Sequence, residues 1–223
     1  MPKKPAAAKK AKPVRVAPRP RHREGTEASL LAAVGTLLAA GEAPGVSAAA
    51  KVAGVDKALV YRYFGDLDGL LHAYAKSALF WPTVEELADD RATLLALAFV
   101  DRYCLLLRRY ARALRARPAT LSILAAEMTK RTALHAPIEA AREAFGQAMF
   151  ELTQDAPRGF DVAAVTSVLS SSVHYLLLRA RHIALFNGIA IRSDEGFERI
   201  ERAIELLARS AVAQFQEQPT MSQ

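Results

Sequence analysis

The chain has 223 residues, 52% of them hydrophobic, and a formal net charge of +7. This is enough for one large domain, or for a small domain joined to a larger one, with an apolar core. The single cysteine, Cys104, excludes an intramolecular disulfide and a cysteine cage for a metal, and fits a reducing cytoplasm. No uninterrupted apolar run reaches the roughly 18 residues of a membrane span, so we expect no membrane partner.

The positive charge is concentrated at the N-terminus. Residues 1–23 carry nine cations and no acid, which leaves a net −2 for residues 24–223. Five prolines in this stretch oppose a helix and predict a disordered basic arm, which would attract phosphates without reading bases. A solvated tail that only aids solubility is the alternative. A transit peptide is disfavoured because serine is absent and the amphipathic content is poor.

Apolar spacing and turn residues predict four helices after the arm. They lie at residues 24–40, 47–53, 57–64 and from 67 to near Pro82. The segment VSAAAKVAGVDKALVYRYF (residues 46–64) is typical of a helix-turn-helix that reads DNA. Gly54 allows the turn, and the Asp56 carboxylate can accept hydrogen bonds from free backbone N–H groups of the next helix. We therefore expect double-stranded DNA as a partner.

The remainder of the chain also predicts helices, and no strand-like alternation of useful length occurs. The expected helices are residues 91–117, 119–132, 137–154, 161–186 and 194–215, broken at Pro118, Pro137, 157–159 and 187–188. The predicted class is all-α. The predicted domains are the arm (1–23), a helix-turn-helix domain (24–79), a larger helical domain (80–216) and a flexible tail (217–223).

The last predicted helix repeats apolar residues at a spacing near 3.5, with charged residues on its flanks. Such a seam fits either the core of its own protomer or a symmetric interface, and we favour a homodimer built from the last two helices. The small residues 170–172 on the preceding helix would allow close helix crossing. The candidate interface residues are Ser171, Ile200, Ile204, Leu207 and Ala211.

With these residues in view, the chain resembles the TetR family of transcriptional regulators. The resemblance rests on GVDKALVYRYFGDLDGLL, within residues 46–71, and on the later linker FNGIAIRSDEGFERIE. It implies an N-terminal three-helix DNA-binding domain followed by a larger helical domain that binds a ligand and dimerises.

The resemblance also implies which residues meet DNA. Gly54 is the turn glycine, residues 57–64 form the recognition helix, and Tyr61 and Tyr63 brace the DNA backbone. The full candidate set is Ser47, Lys57, Ala58, Leu59, Tyr61, Arg62 and Tyr63, with Arg19, Arg21 and Arg23 from the arm. The chain departs from the family pattern in two ways: Leu67 stands where a phosphate-binding lysine is common, and Ala58 and Leu59 replace small polar residues.

By the same resemblance, the larger domain encloses a small-molecule pocket. The candidate lining residues are Trp81, Phe99, Tyr103, Met128, Phe145, Met149, His174 and Tyr175. Each of them also fits an ordinary core position. A mostly apolar pocket predicts a hydrophobic or aromatic effector. His174 and His182 are eight residues apart without a nearby carboxylate, so no metal or other cofactor is expected.

These features predict a cytoplasmic, nucleoid-associated bacterial regulator rather than an enzyme. We expect a homodimeric repressor that binds a palindromic operator and is released by a small hydrophobic effector. An architectural DNA binder with little sequence preference, relying on the basic arm, is the alternative. An enzyme is disfavoured because the sequence shows no placed catalytic triad, phosphate-binding glycine loop or metal-ligand spacing.

Overall fold

The computed structural model describes residues 20–128 and 135–216. The helices are α1 (Pro20–Ala39), α2 (Val46–Ala53), α3 (Ala58–Phe64), α4 (Leu67–Ala75), α5 (Val84–Ala88), α6 (Arg91–Leu95), α7 (Phe99–Arg115), α8 (Pro118–Glu127), α9 (His135–Glu151), α10 (Val162–Ala180) and α11 (Asp194–Gln216), with a hairpin of β1 (Leu185–Phe186) and β2 (Ile189–Ala190) before α11. The all-α class is confirmed, with a small N-terminal helix-turn-helix domain and a larger helical domain.

The first helix begins at Pro20, four residues before the predicted start at residue 24. Proline is well accommodated in the first turn of a helix, where its missing N–H has no intrahelical partner to lose. The end of the predicted arm therefore belongs to α1. The predicted arm residues 1–19 and tail residues 217–223 lie outside the described residues.

The N-terminal domain packs α1 against α2 and α4. Its centre is formed by the fully buried side chains of Leu30, Val34, Val60 and Leu70. These positions follow the predicted apolar faces, because the helices are too short to be stable without burying one face. The same domain contacts the larger one where α1 lies along α8.

The predicted continuous helix over residues 91–117 is wrong, since α6 ends at Leu95 and α7 begins at Phe99. Arg102 explains the break: its guanidinium is 2% exposed and donates to the carbonyl oxygens of Leu97, at 2.8 Å, and Leu95, at 3.3 Å. Carbonyl groups bound in this way need no helical partner. The alanine and leucine of this stretch favour a helix locally, so a tertiary contact overrides propensity here.

Helix α7 is the central helix of the larger domain, and α11 packs along it. Arg112 makes a two-pronged ion pair with Glu201, at 2.6 and 2.7 Å. Arg209 bridges Asp101, at 2.8 Å, and Glu205 of its own helix, at 2.9 Å. These ion pairs fix the register between two helices whose apolar contacts are less directional.

A hairpin lies between α10 and α11, where the sequence predicts only a helix break at residues 187–188. Asn187 and Gly188 both have positive φ, 49° and 76°, the geometry of a two-residue hairpin turn. The Asn-Gly pair is the signal that could have predicted it. Each strand has only two residues, so the all-α class is unaffected.

Helix α10 is the one described helix long and apolar enough, by length and composition, to cross a membrane. Helices in the cores of proteins outside membranes also meet this criterion. Much of the α10 surface is left uncovered by the described chain, and Val168 is 70% exposed.

Candidate DNA-reading helix and effector cavity

The turn between α2 and α3 has the geometry that the sequence predicts. Gly54 ends α2 with φ 68° and ψ 31°, a left-handed conformation that favours glycine. The Asp56 carboxylate accepts a hydrogen bond from the Ala58 N–H at 2.7 Å, so it caps α3 from two residues upstream. Val60 is fully buried and anchors α3 on the domain core.

The candidate DNA contacts divide into an exposed set and a half-buried set. Ser47, Lys57, Ala58, Tyr61 and Arg62 are exposed, and Ser47 lies in the first turn of α2. Leu59 and Tyr63 are half-buried, so one part of each side chain packs on the domain and the other part lies at its surface. The outer face of α3 therefore presents one tyrosine and two cations to a partner.

The basic arm joins the described chain beside this helix. The Arg23 guanidinium lies 5.3 Å from the centroid of the Tyr63 ring and pairs with Glu27 at 2.7 Å. Among the other arm candidates, Arg19 and the side chain of Arg21 lie outside the described part of the structure. Residues 20–79 hold six cations and six acids, so the charge that would draw this domain to DNA is carried by residues 1–19.

Helix α4 follows α3 after a tight turn. The Asp66 carboxylate accepts from the Gly69 N–H at 2.8 Å, as expected of an N-cap residue. A Cβ atom at residue 69 would overlap the carbonyl oxygen of Phe64. This close approach fixes α4 against the end of the recognition helix.

The larger domain contains a cavity of about 810 Å³ between α7, α9, α10 and the segment that follows α4. Five of the eight predicted lining residues are brought together there: Trp81, Tyr103, Phe145, Met149 and His174. The other three lie elsewhere. Phe99 packs between Tyr103 and Phe160, Met128 is 76% exposed, and Tyr175 lies on the surface against Phe186.

Several further residues that the sequence did not predict also line the cavity. Tyr110 and Thr166 line the cavity, as do the charged residues Glu139, Arg142 and Glu143 of α9. Tyr110 could have been found from its spacing, because it lies seven residues after Tyr103 on the same helix face. The charged residues carried no such signal, since an exposed helix face has the same composition.

Two hydrogen-bonded pairs connect α7 to α10 at the cavity wall. The Tyr110 hydroxyl lies 2.5 Å from Nε2 of His174, and the Tyr103 hydroxyl lies 2.8 Å from the Thr166 hydroxyl. Burial, assisted by the nearby Arg142 charge, lowers the pKa of His174 to about 4. Burial also raises the pKa of Tyr110. Both partners are therefore neutral at pH 7, and His174 adds no positive charge to the cavity.

No protein-family model matches the sequence, and no curated protein matches it either. Solved structures do match its fold. The fatty acid degradation regulator FadR from Bacillus halodurans aligns at 12% identity and TM-score 0.58, over 87% of this chain and 96% of that one. A TetR family transcription regulator from Marinobacter aquaeolei aligns at 16% identity and TM-score 0.57, over 86% and 97%. FadR from Bacillus subtilis, solved in complex with stearoyl-CoA, aligns at 12% identity and TM-score 0.57, over 85% and 97%.

The chain has the TetR fold. This confirms the resemblance that the sequence analysis drew from residues 46–71, at the level of architecture. In this TetR fold the helix-turn-helix and the cavity lie in different domains, so a regulator needs a physical connection between them.

Three aromatic residues form that connection, and we call them the aromatic bridge. Tyr74 of α4 lies 6.0 Å, between ring centroids, from Phe80, and Phe80 lies 5.8 Å from Trp81 in the cavity wall. The Tyr74 ring packs against Gly35 of α1, and the buried Thr120 hydroxyl of α8 donates to the Phe80 carbonyl. Packed rings therefore connect Trp81 in the cavity wall to α4 and α1.

The close approach at Gly69 leads to a first prediction. Gly69→Ala is expected to lower the free energy of unfolding by about 1–3 kcal/mol, because the added methyl group forces α4 away from the Phe64 carbonyl. Gly45→Ala is the matched control, since nothing lies within 4 Å of its added Cβ. Urea unfolding measures the free energy of unfolding of both variants. Equal values would show that α4 can move away from the Phe64 carbonyl oxygen without loss of stability.

The Tyr110–His174 pair leads to a second prediction, on pH. His174 has an ordinary pKa of 6.5 when unfolded and about 4 when folded, so the unfolded state binds more protons between these values. The contribution of neutral His174 to the free energy of unfolding is complete above pH 6.5. It decreases by about 3 kcal/mol as the pH falls toward 4. We expect a His174→Phe variant, which cannot titrate here, to lose correspondingly less stability over this range. Parallel stability curves for the two proteins would contradict the assignment.

Proposed function

We propose that this protein is a homodimeric, ligand-responsive transcriptional repressor that binds a palindromic operator and is released by a small hydrophobic effector. The observation that carries the proposal is the aromatic bridge. It joins the cavity wall at Trp81 to α4, the helix that holds the end of the recognition helix. A molecule that fits the cavity only when Trp81 has moved would shift α4 and thereby favour the conformation that does not bind DNA.

The recognition helix supplies the second element of the proposal. The side chains of Tyr61 and Arg62 on α3, and of Lys57 at its N-cap, are exposed. A helix that lies across another after a tight turn can enter the major groove. An Arg or Lys bound to a guanine contributes about 1–3 kcal/mol of discrimination, whereas a phosphate contact contributes none. We assign base reading to Lys57 and Arg62 and backbone contacts to Ser47, Tyr61 and Tyr63.

The dimer is proposed from the outer faces of α10 and α11. Ile200 and Ile204, predicted at the interface, are buried against the core of their own protomer, and Ala211 is half-buried. Ile200 and Ile204 therefore pack in the core, whereas Leu207 of the same predicted seam is 58% exposed. The exposed apolar surface lies beside it, and consists of Val168, Ser171 and Tyr175 on α10 with Leu206 and Leu207 on α11.

A second copy of the chain is the natural occupant of this surface, because apolar side chains from two adjacent long helices lie there uncovered by the protomer. Two recognition helices related by a two-fold axis would meet half-sites about 34–36 Å apart, or a multiple of that spacing. A ligand that changes this separation weakens both half-site contacts together.

The similar structures support this proposal at the level of fold. FadR from Bacillus halodurans is described as a fatty acid degradation regulator, and FadR from Bacillus subtilis was solved with stearoyl-CoA. A regulator of the same fold that was solved with a bound small molecule supports ligand binding by this chain. The cavity found here, at about 810 Å³, is within the size range of small-molecule sites.

An architectural DNA binder remains the second candidate, favoured by the lack of net positive charge on residues 20–79 and by the apolar Ala58 and Leu59 on α3. Selection of bound duplexes from a random pool separates the two functions. The repressor requires enrichment of a two-fold symmetric sequence, bound at least about 10³-fold more tightly than random duplexes in a gel-shift titration. Equal affinity for selected and random duplexes would establish the architectural function instead.

A further inference from the structure

We propose that the effector of this cavity carries two neutral oxygen groups, hydroxyl or carbonyl, about 10–12 Å apart. Each group accepts a hydrogen bond from one of the two side-chain pairs that join α7 to α10, Tyr110–His174 and Tyr103–Thr166. This inference rests on the proposed function in calling the molecule an effector. Binding itself involves only the cavity and can be measured without DNA.

Helix α10 directs polar side chains at the cavity, although its overall composition is apolar enough for a membrane span. From residue 164 onward, every residue of α10 that lines the cavity is polar, and we call these four the polar wall: Thr166, Ser167, Ser170 and His174. A ligand without polar groups would cover this wall with apolar surface, and burying a polar group without a hydrogen bond is costly. A ligand that hydrogen-bonds to the wall avoids this cost.

The two pairs supply the hydrogen-bond donors. Tyr110 and neutral His174 together have two polar hydrogens, and one of them lies in the 2.5 Å contact between the hydroxyl and Nε2. Whichever partner donates in that bond, the other polar hydrogen is left for a further acceptor. Tyr103 and Thr166 share one bond of 2.8 Å and keep one hydroxyl hydrogen in the same way.

A ligand can reach both pairs. Nδ1 of His174 has no hydrogen-bond partner among the described residues, where the fully enclosed side-chain atoms without a partner belong to Tyr74 and Trp81. Nδ1 is therefore accessible, and His174 lines the cavity. Thr166 also lines the cavity and is half-buried.

The polar wall carries no charge at pH 7. Burial lowers the pKa of His174 to about 4, and the hydroxyl groups of the wall do not ionise. An ionised ligand group at this wall would lose hydration without meeting an opposite charge on it. The charged lining residues lie on α9, and the Arg142 guanidinium among them already lies 6.0 Å from the centroid of the Trp81 ring. A neutral ligand is therefore favoured.

The spacing of the two pairs follows from the helices that carry them. Tyr103 and Tyr110 are seven residues apart on α7, and Thr166 and His174 are eight residues apart on α10. At about 1.5 Å of rise per residue, both helices separate the pairs by about 10–12 Å. The two hydroxyl oxygens of trans-4,4′-dihydroxystilbene are about equally far apart, on a rigid apolar frame.

The experiment uses the full-length protein and stilbenes of one shape. The dihydroxy compound has two oxygens, 4-hydroxy-4′-methylstilbene has one and 4,4′-dimethylstilbene has none. 4′-Hydroxystilbene-4-carboxylate tests the ionised class. 2,6-Dihydroxynaphthalene and 6-methyl-2-naphthol test the spacing, because their substituents are too close together to reach both pairs. Fluorescence titration measures the affinities.

We expect each hydroxyl that replaces a methyl group to raise the affinity for the stilbene about threefold or more, within the range of one neutral hydrogen bond. The second hydroxyl of the naphthalene should add less than about twofold, since it reaches no second donor. The same series on the unaltered protein tests the proposal without any variant.

Two double variants each remove one pair: Tyr110→Phe with His174→Phe, and Tyr103→Phe with Thr166→Val. Replacing both partners of a hydrogen bond by apolar groups of similar shape can be nearly neutral for stability. In either double variant the gain from the second hydroxyl of the stilbene should disappear, because only one pair remains. Ser172→Ala is the matched control on α10, since Ser172 does not line the cavity, and it should keep both gains.

No binding of the dihydroxystilbene, or binding no tighter than that of the dimethyl compound, would overturn the proposal. Tighter binding of the carboxylate, an equal gain in the naphthalene pair, or a second-hydroxyl gain that persists in both double variants would also overturn it. Failure of the proposed function is a separate result: a protein that binds the stilbenes as expected but enriches no duplex from a random pool keeps this ligand site and is not a repressor. A protein that enriches a symmetric operator but binds no dihydroxystilbene shows the reverse.

Discussion

Deletion of residues 1–19 is expected to reduce DNA affinity by orders of magnitude at low salt while leaving sequence preference intact. These residues carry seven cations and no acid, and residues 20–79 are neutral overall. Each phosphate neutralised contributes about 0.9 to the slope of log affinity against log salt, so the slope should fall by up to about 6 per protomer. Fluorescence anisotropy titrations between about 50 and 200 mM salt measure both slope and affinity.

The deletion needs a control of equal length, because shortening the chain could also remove contacts unrelated to charge. A full-length variant with all seven cations replaced by glutamine should reproduce the loss of slope. In both variants the ratio of affinities for selected and random duplexes should stay nearly constant, since phosphate contacts carry no base information. An unchanged slope in either variant would show that the arm does not meet phosphates and that the folded domain binds DNA by itself.

Replacement of Arg102 by methionine is expected to lower the free energy of unfolding by about 3 kcal/mol. The buried guanidinium donates to the carbonyl oxygens of Leu152, at 2.8 Å, and of Leu95 and Leu97, and pairs with Asp155. It thus joins the segment before α7 to the end of α9. Methionine fills a similar volume but donates no hydrogen bond, so these carbonyl groups lose their partner. Urea unfolding monitored by circular dichroism measures the change.

Asp155→Asn separates the two contributions of this arginine. The Asp155 side chain is 62% exposed, so its ion pair is screened by water and its loss should cost at most about 1 kcal/mol. The carbonyl contacts are the larger part, because they lie in the interior. A cost for Asp155→Asn as large as that for Arg102→Met would instead make the ion pair the dominant interaction.

The helix-turn-helix was predictable because its determinants are local. Gly54 provides the left-handed turn, and Asp56 and Asp66 cap the helices that follow them. Each of these residues acts on backbone groups within three positions of itself, so the sequence alone contains the information. The aromatic bridge was not predictable in this way, since the neighbours of Phe80 and Trp81 come from α7, α8, α9 and α10.

The cavity was only partly predictable for a related reason. An aromatic residue on a helix can face the core, a cavity or the surface, and composition does not distinguish them. Tyr103 and His174 line the cavity, whereas Met128 and Tyr175 are exposed. Ile200 and Ile204 show the same ambiguity, because one apolar seam can pack on α7 or on a second protomer.

The sequence by itself determined the helical class, the turn that presents α3 and the concentration of positive charge before residue 24, since all three depend on local propensity or on composition. The tertiary structure alone decided the break between α6 and α7, the set of rings that meets in the cavity, and the packing of α11 along α7. Those features depend on contacts between residues far apart in the chain, such as Arg102 with Leu152 and Tyr110 with His174. Such contacts leave no periodic signal in either segment that forms them.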